Sequence, residues 1–210
     1  MTLPYPEVLA EIERSQARLE AAVAELSDEQ ARGDSLLPGW SRGHVVTHLA
    51  RNADALNRLA VGVLSGTRPE MYPGGREARG AAIEEGADRP VELLDADLRF
   101  AGRRVVESLR KIRADQLDTP VSWRKPTAAR GIPALRWCEL EIHHVDLGTG
   151  YTAPDWPDAF VEEILTRDLP ELAEAAPEVV PPELPRAELL AWLVGRPTRA
   201  GLPELPAWPF

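Results

Sequence analysis

Apolar residues recur along the first two thirds of the chain at the three- and four-residue spacing of amphipathic helices. Val8, Ile12, Leu19, Val23 and Leu26 mark one buried stripe of a helix beginning near residue 5. Ser27-Asp-Glu-Gln30 has the form of a capping box and predicts a short following helix. Pro38-Gly39 breaks the chain, and Ser41 is a natural N-cap for a helix running to about Ser65. In it, Leu49, Leu56, Leu59 and Val63 fall within about 40° of Val45 around the axis. Gly66 and the stretch from Pro69 to Gly75 read as a loop, followed by a short helix over 77–85. Pro90 opens a long helix with Leu94, Leu98, Ala101, Val105 and Ile112 on one face. The stretch from Arg113 to Gly131 reads as a loop with room for a short strand. Pro133 suits the first turn of a helix ending near Gly148 and Gly150, with Leu135, Cys138, Ile142 and Val145 as its buried stripe.

Three or four long amphipathic helices, one of them returning late in sequence, predict a mainly α protein built on an antiparallel bundle over residues 1–150. From Thr152 onward the character changes. Eleven of the 20 prolines lie in the last 60 residues. Helical patterns persist over 158–175 and 186–194. The tail from Gly201 to Phe210 reads as extended, because each proline disfavours the α region for the residue before it. Residues 151–210 are therefore expected to form a small appended subdomain.

Composition narrows the class. The chain has 210 residues, 44% of them hydrophobic, which suits one large domain or one domain with an appendage. It has no apolar run of about 18 residues, so no transmembrane helix is expected. The first residues lack a basic and apolar leader, so no signal peptide is expected. A single cysteine, Cys138, excludes an internal disulfide and fits a reducing cytoplasm. A net charge of -10 argues against nucleic acid, which requires clustered basic residues facing phosphate.

The chemistry lies in the four histidines, which fall in two pairs, His44 with His48 and His143 with His144. In the first helix His48 and Asn52 lie on or beside the apolar face, where a polar side chain must find a partner. His44 lies nearer the boundary. In the later helix Glu139, His143 and Asp146 line one flank of the apolar stripe, and His144 points away at about 180° from Leu135. Glu139 and His143 are one turn apart and can reach a common point. One histidine from the first helix and this Glu-His pair would make a three-ligand centre of the catalytic kind, with positions open to water or substrate. Two imidazoles and a carboxylate suit zinc, or manganese, iron or nickel. Geometry leaves a plainer reading open: a histidine on an apolar face is often a satisfied core group, and a Glu-His pair at this spacing is often a surface pair.

These segments and their surroundings resemble the mycothiol-dependent maleylpyruvate isomerase family, within the DinB-like metal-binding bundles. The residues that carry the resemblance are Leu36-Leu-Pro-Gly-Trp-Ser-Arg-Gly-His-Val-Val-Thr-His-Leu-Ala-Arg-Asn-Ala-Asp-Ala-Leu56, Met71-Tyr72, Glu77-Ala-Arg79 and Glu139-Leu-Glu-Ile-His-His-Val-Asp-Leu147. It covers about residues 1–150. It implies a DinB-like four-helix bundle, here with a small, shortened C-terminal subdomain, and His48, Glu139 and His143 as ligands of a divalent metal, zinc by preference. It also implies mycothiol, the low-molecular-weight thiol of actinobacteria, as cofactor. The implied reaction is isomerisation of 3-maleylpyruvate to 3-fumarylpyruvate by thiolate addition, bond rotation and elimination. Arg79 and Arg196 are candidates to bind substrate or stabilise charge, or else are surface residues. Trp40 and Tyr72 are candidates to line the pocket, or else loop anchors. Asn52 is the candidate partner for the second nitrogen of His48. Two other functions fit the same residues: a mycothiol S-transferase acting on another electrophile, and a non-catalytic bundle that binds a metal or small molecule.

Overall fold

The computed structural model describes residues 2–123, 125 and 127–206. The helices are α1 (Tyr5–Ala24), α2 (Asp28–Arg32), α3 (Arg42–Ser65), α4 (Gly75–Ala87), α5 (Val91–Lys111), α6 (Ile132–Asp146), α7 (Asp158–Ala175) and α8 (Arg186–Leu193). Two short strands, β1 (Pro120–Val121) and β2 (Thr127–Ala128), pair antiparallel in the connection before α6. The chain divides into two compact units, Tyr5–Thr149 and residues 1–4 with 150–210.

Local chemistry sets the boundaries in the larger unit. Ser27 and Gln30 make the reciprocal capping box that starts α2. Ser41 caps α3, with its hydroxyl accepting from the His44 backbone N–H, and the His44 ring reaching back to the Ser41 N–H. Gly66, at φ 69°, closes α3 in the left-handed region that glycine adopts without strain.

The four long helices form a closed ring of contacts: α1 packs on α5 and α6, and α3 packs on the same two. Tyr5 Oη donates to Leu109 O at 3.0 Å and Gln16 Nε2 to Leu98 O at 3.4 Å, so α1 and α5 run in opposite directions. The pairs His48–His143 and Leu49–Arg136 set α3 opposite to α6. The ion pairs Arg51–Asp97 and Arg104–Asp54 show α3 and α5 running the same way, and α1 and α6 therefore also do. The expected antiparallel arrangement thus holds for two of the four contacts. The other two are parallel because α4 carries the chain back between α3 and α5.

The expected stripes of α1, α3 and α5 form the core: Ile12, Leu19, Leu49, Leu56, Leu94, Leu98 and Val105 are all buried. Leu26, the last of the α1 series, lies beyond the helix and is half-buried. α6 departs from a single stripe. It lies between α1 and α3, so two of its faces are buried, and Leu135 and Val145 are only half-buried. On the α1 side, Trp137 Nε1 donates to Ser15 Oγ at 3.1 Å, and Arg18 pairs with the buried Glu141 at 2.7 Å. His144 lies within about 20° of Trp137 around the helix axis and is 5% exposed. The expectation that His144 points away is correct in direction, but that direction is a packed interface.

In the smaller unit α7 and α8 pack together. Trp156 and Phe160 meet edge to face at 5.6 Å, and Glu163 accepts from the backbone N–H of Thr2 at 2.6 Å. Residues 201–206 carry no helix or strand, and the rest of the expected extended tail, 207–210, lies outside the described residues.

Candidate metal centre

α3 brings His48 and α6 brings Glu139 and His143 to one point. His48 Nε2 lies 2.8 Å from Glu139 Oε2 and 3.0 Å from His143 Nε2. His143 Nε2 lies 3.3 Å from Glu139 Oε2. The two imidazole rings stand 4.6 Å apart at 88°. Tetrahedral ligation at about 2.0–2.1 Å places donor atoms about 3.3 Å apart. One pair of donor atoms has that spacing and the other two are slightly closer. Two ring nitrogens and a carboxylate oxygen converge on one point, which is the donor set of a three-ligand centre. A divalent cation fits this donor set, and the three residues form a group that could hold one.

The centre is buried on one side and open on the other. His48 is 3% exposed, while the side chains of His143 and Glu139 are 15% and 22% exposed. Burial disfavours the charged ring of His48 and outweighs the pull of Glu139, so its pKa is lowered. Burial acts the same way on His143, but hydrogen bonds to Asp146 and Glu139 overcome it, and the net shift is upward. Burial works against the Glu139 carboxylate, yet the two histidines hold its pKa well below the usual range.

The surrounding residues orient the ligands. His143 Nδ1 donates to Asp146 Oδ2 at 2.8 Å, which leaves its Nε2 lone pair facing the cluster. Asp146 was visible in sequence only as a neighbour on the same flank. Its role follows from the i,i+3 spacing that puts it beside His143 at the end of α6. On the other side, Arg79 Nη2 lies 2.9 Å from His48 Nδ1. A guanidinium only donates, so in this arrangement Nδ1 accepts and Nε2 carries the ring proton; a cation at Nε2 would need that proton on Nδ1, with Arg79 released from the ring. Arg79 also stands over the Tyr72 ring, 5.5 Å from its centroid. Burial, helped by Glu139, raises the Tyr72 pKa against the opposing pull of Arg79 and Asn52. Trp40 meets the His48 ring edge to face at 5.6 Å and stacks on His44 at 6.1 Å.

Arg79, Tyr72 and Trp40 therefore gather round His48. The fold places Arg79 there through a close approach of α4 to α3. A Cβ at Gly43 would meet Ala87 O at 2.0 Å, and one at Gly86 would meet Thr47 Cγ2 at 2.5 Å. Asn52 does not serve as the expected partner of His48. Its Oδ1 accepts from Arg136 Nη1 at 3.2 Å, because the buried guanidinium draws the amide towards itself and Arg79 occupies the ring nitrogen. His44 belongs to the α3 cap and to a 3.2 Å contact with Glu84. Arg196 belongs to the smaller unit, where its Nη1 donates to Val194 O at 3.0 Å.

Residues 12–148 match the family model described as the mycothiol maleylpyruvate isomerase N-terminal domain. Among solved structures, the chain is similar to a crystal structure of the mycothiol-dependent maleylpyruvate isomerase, at 22% identity over 98% of each chain and a TM-score of 0.85. It is similar to a His-to-Ala mutant of that isomerase at the same identity and coverage, with a TM-score of 0.84. At this identity the likeness establishes the fold. The coverage also shows that, against these structures, the C-terminal region expected to be shortened spans a comparable length. No curated protein matches the chain.

Proposed function

This chain belongs to the mycothiol maleylpyruvate isomerase N-terminal domain family, and we propose that it is a cytoplasmic, metal- and mycothiol-dependent isomerase converting 3-maleylpyruvate to 3-fumarylpyruvate. The observation that carries the proposal is the convergence of His48, Glu139 and His143 on one point beside a guanidinium. The cofactors are a divalent cation, zinc by its fit to the donor set, and mycothiol.

His48, Glu139 and His143 would hold the cation, and Asp146 fixes the ring of His143. A cation bound there lowers the pKa of a thiol, so that the thiolate is present at neutral pH. Mycothiol bound there would supply a thiolate for reversible addition to the alkene, so that the former double bond could rotate before elimination returned the trans alkene and the unconsumed thiol. Arg79 supplies fixed positive charge for a carboxylate or the developing enolate oxygen. Trp40 and Tyr72 wall the pocket, and Asn52 sits behind Tyr72. Arg196 is proposed to bind a carboxylate.

The test is an assay of metal-loaded protein with 3-maleylpyruvate and mycothiol. The trans product is expected to accumulate at constant thiol concentration, with no turnover when thiol is omitted. Thiol consumed mole for mole with product would replace the isomerase with an S-transferase. No turnover with any thiol would leave a non-catalytic binding bundle.

A further inference from the structure

α6 carries a further charged side chain on the flank that holds Glu139, His143 and Asp146. Arg136 lies about 20° from His143 and about 60° from Glu139 around the helix axis, one turn deeper than Glu139. It is 0% exposed. Its guanidinium forks between helices. Nη1 donates to Leu49 O at 2.8 Å and Asn52 Oδ1 at 3.2 Å, both on α3. Nη2 donates to Gln16 Oε1 on α1 at 2.9 Å. Gln16 is itself held, through Nε2, by Glu20 Oε1 at 2.8 Å and by Leu98 O on α5 at 3.4 Å. The bundle leaves room for this junction, since a Cβ at Gly102 would lie 2.6 Å from Gln16 Cδ.

All three acceptors are neutral, and Nε has no hydrogen-bond partner. Burial lowers the Arg136 pKa to about 10, so the group remains a cation at neutral pH. A buried charge without a contacting carboxylate is costly, and an apolar side chain of similar volume is often better for stability alone. The contacts show what the charge achieves. Leu49 follows His48 directly, and Asn52 is one turn on. The fork therefore ties the His48-bearing turn of α3 to the helix that carries the other two candidate ligands.

We propose that Arg136 is a positioning residue of the metal centre, a clamp between α3 and α6 that sets the separation of His48 from Glu139 and His143. This rests on the metal reading of the site. A lysine at this position would keep the charge but could not reproduce a planar fork to two helices.

The test compares wild type with Arg136→Met and Arg136→Lys, using Co2+ as the probe. Three quantities are read: the Co2+ dissociation constant, the visible ligand-field bands that report coordination geometry, and helicity and melting temperature by circular dichroism. Both variants are expected to stay helical, to bind Co2+ roughly 10- to 100-fold more weakly, the range for lost supporting contacts, and to show altered bands. Asn52→Ala removes only one acceptor on α3 and is expected to give a smaller loss in the same direction, which keeps the test open if the Arg136 variants do not fold. Variants with wild-type affinity and bands, whatever their melting temperatures, would overturn the clamp and leave Arg136 a packing residue. Wild-type protein that takes up no Co2+ would overturn the metal reading itself, and the clamp with it.

Discussion

His143 and His144 adjoin in sequence and face opposite sides of α6. His143 turns towards His48 and Glu139, and His144 is packed on the side that Trp137 presents to α1. His48→Ala and His143→Ala are each expected to abolish metal binding. His144→Ala is expected to keep it and to lower stability by about 1–3 kcal/mol, the usual cost of truncating a buried polar group. Metal analysis and thermal melting of the three proteins check this. Metal retained without His48 or His143 but lost without His144 would overturn the assignment. The trio was legible in sequence because helical periodicity puts Glu139 and His143 one turn apart, and because an imidazole on an apolar face needs a partner. Arg136 was not legible. An arginine on an amphipathic helix reads as surface, and the partners that make burial tolerable, Gln16, Leu49 and Asn52, come from distant parts of the chain. The pairing of Asn52 with His48 failed for the same reason, since a competing donor arrives from another helix.

Element boundaries followed local chemistry closely. The Ser27 box, the Ser41 cap and the Gly66 stop are all where short-range rules put them. Tertiary contacts decided the rest. α6 buries two faces because it has neighbours on two sides, and no single-helix pattern reveals that. The approach of α4 to α3 was likewise invisible, because a glycine inside a helical segment signals nothing about what lies opposite. Gly43→Ala is expected to force the helices apart, to destabilise by about 1–3 kcal/mol as overpacking does, and to displace Arg79 from His48. Gly80→Ala, also in α4 but with nothing within 4 Å of the added Cβ, is expected to stabilise by up to about 1 kcal/mol, through helix propensity. Chemical denaturation of both variants separates the cases. Equal effects would mean that the close approach at Gly43 does not hold α4 in place.

At the scale of the whole molecule, the bundle was predictable from three or four amphipathic helices, whereas the parallel run of α3 and α5 depends on a connection whose path sequence does not show. Net charge was a poor guide to the site. The chain carries -10 overall, yet Arg79 and Arg136 place cations beside the candidate ligands, and charge near a pocket matters more to a ligand than the total. The smaller unit has its own packing around Trp156 and Phe160.

The central claim is that this bundle holds a metal that activates a thiol. The most direct test is the metal content of the purified protein, followed by calorimetric titration of mycothiol into the metal-loaded and the chelator-stripped forms. The account predicts about one divalent metal per chain and thiol binding that disappears on stripping and returns on reloading. A protein that takes up no metal even on reconstitution, or that binds mycothiol equally well with and without it, would contradict the account.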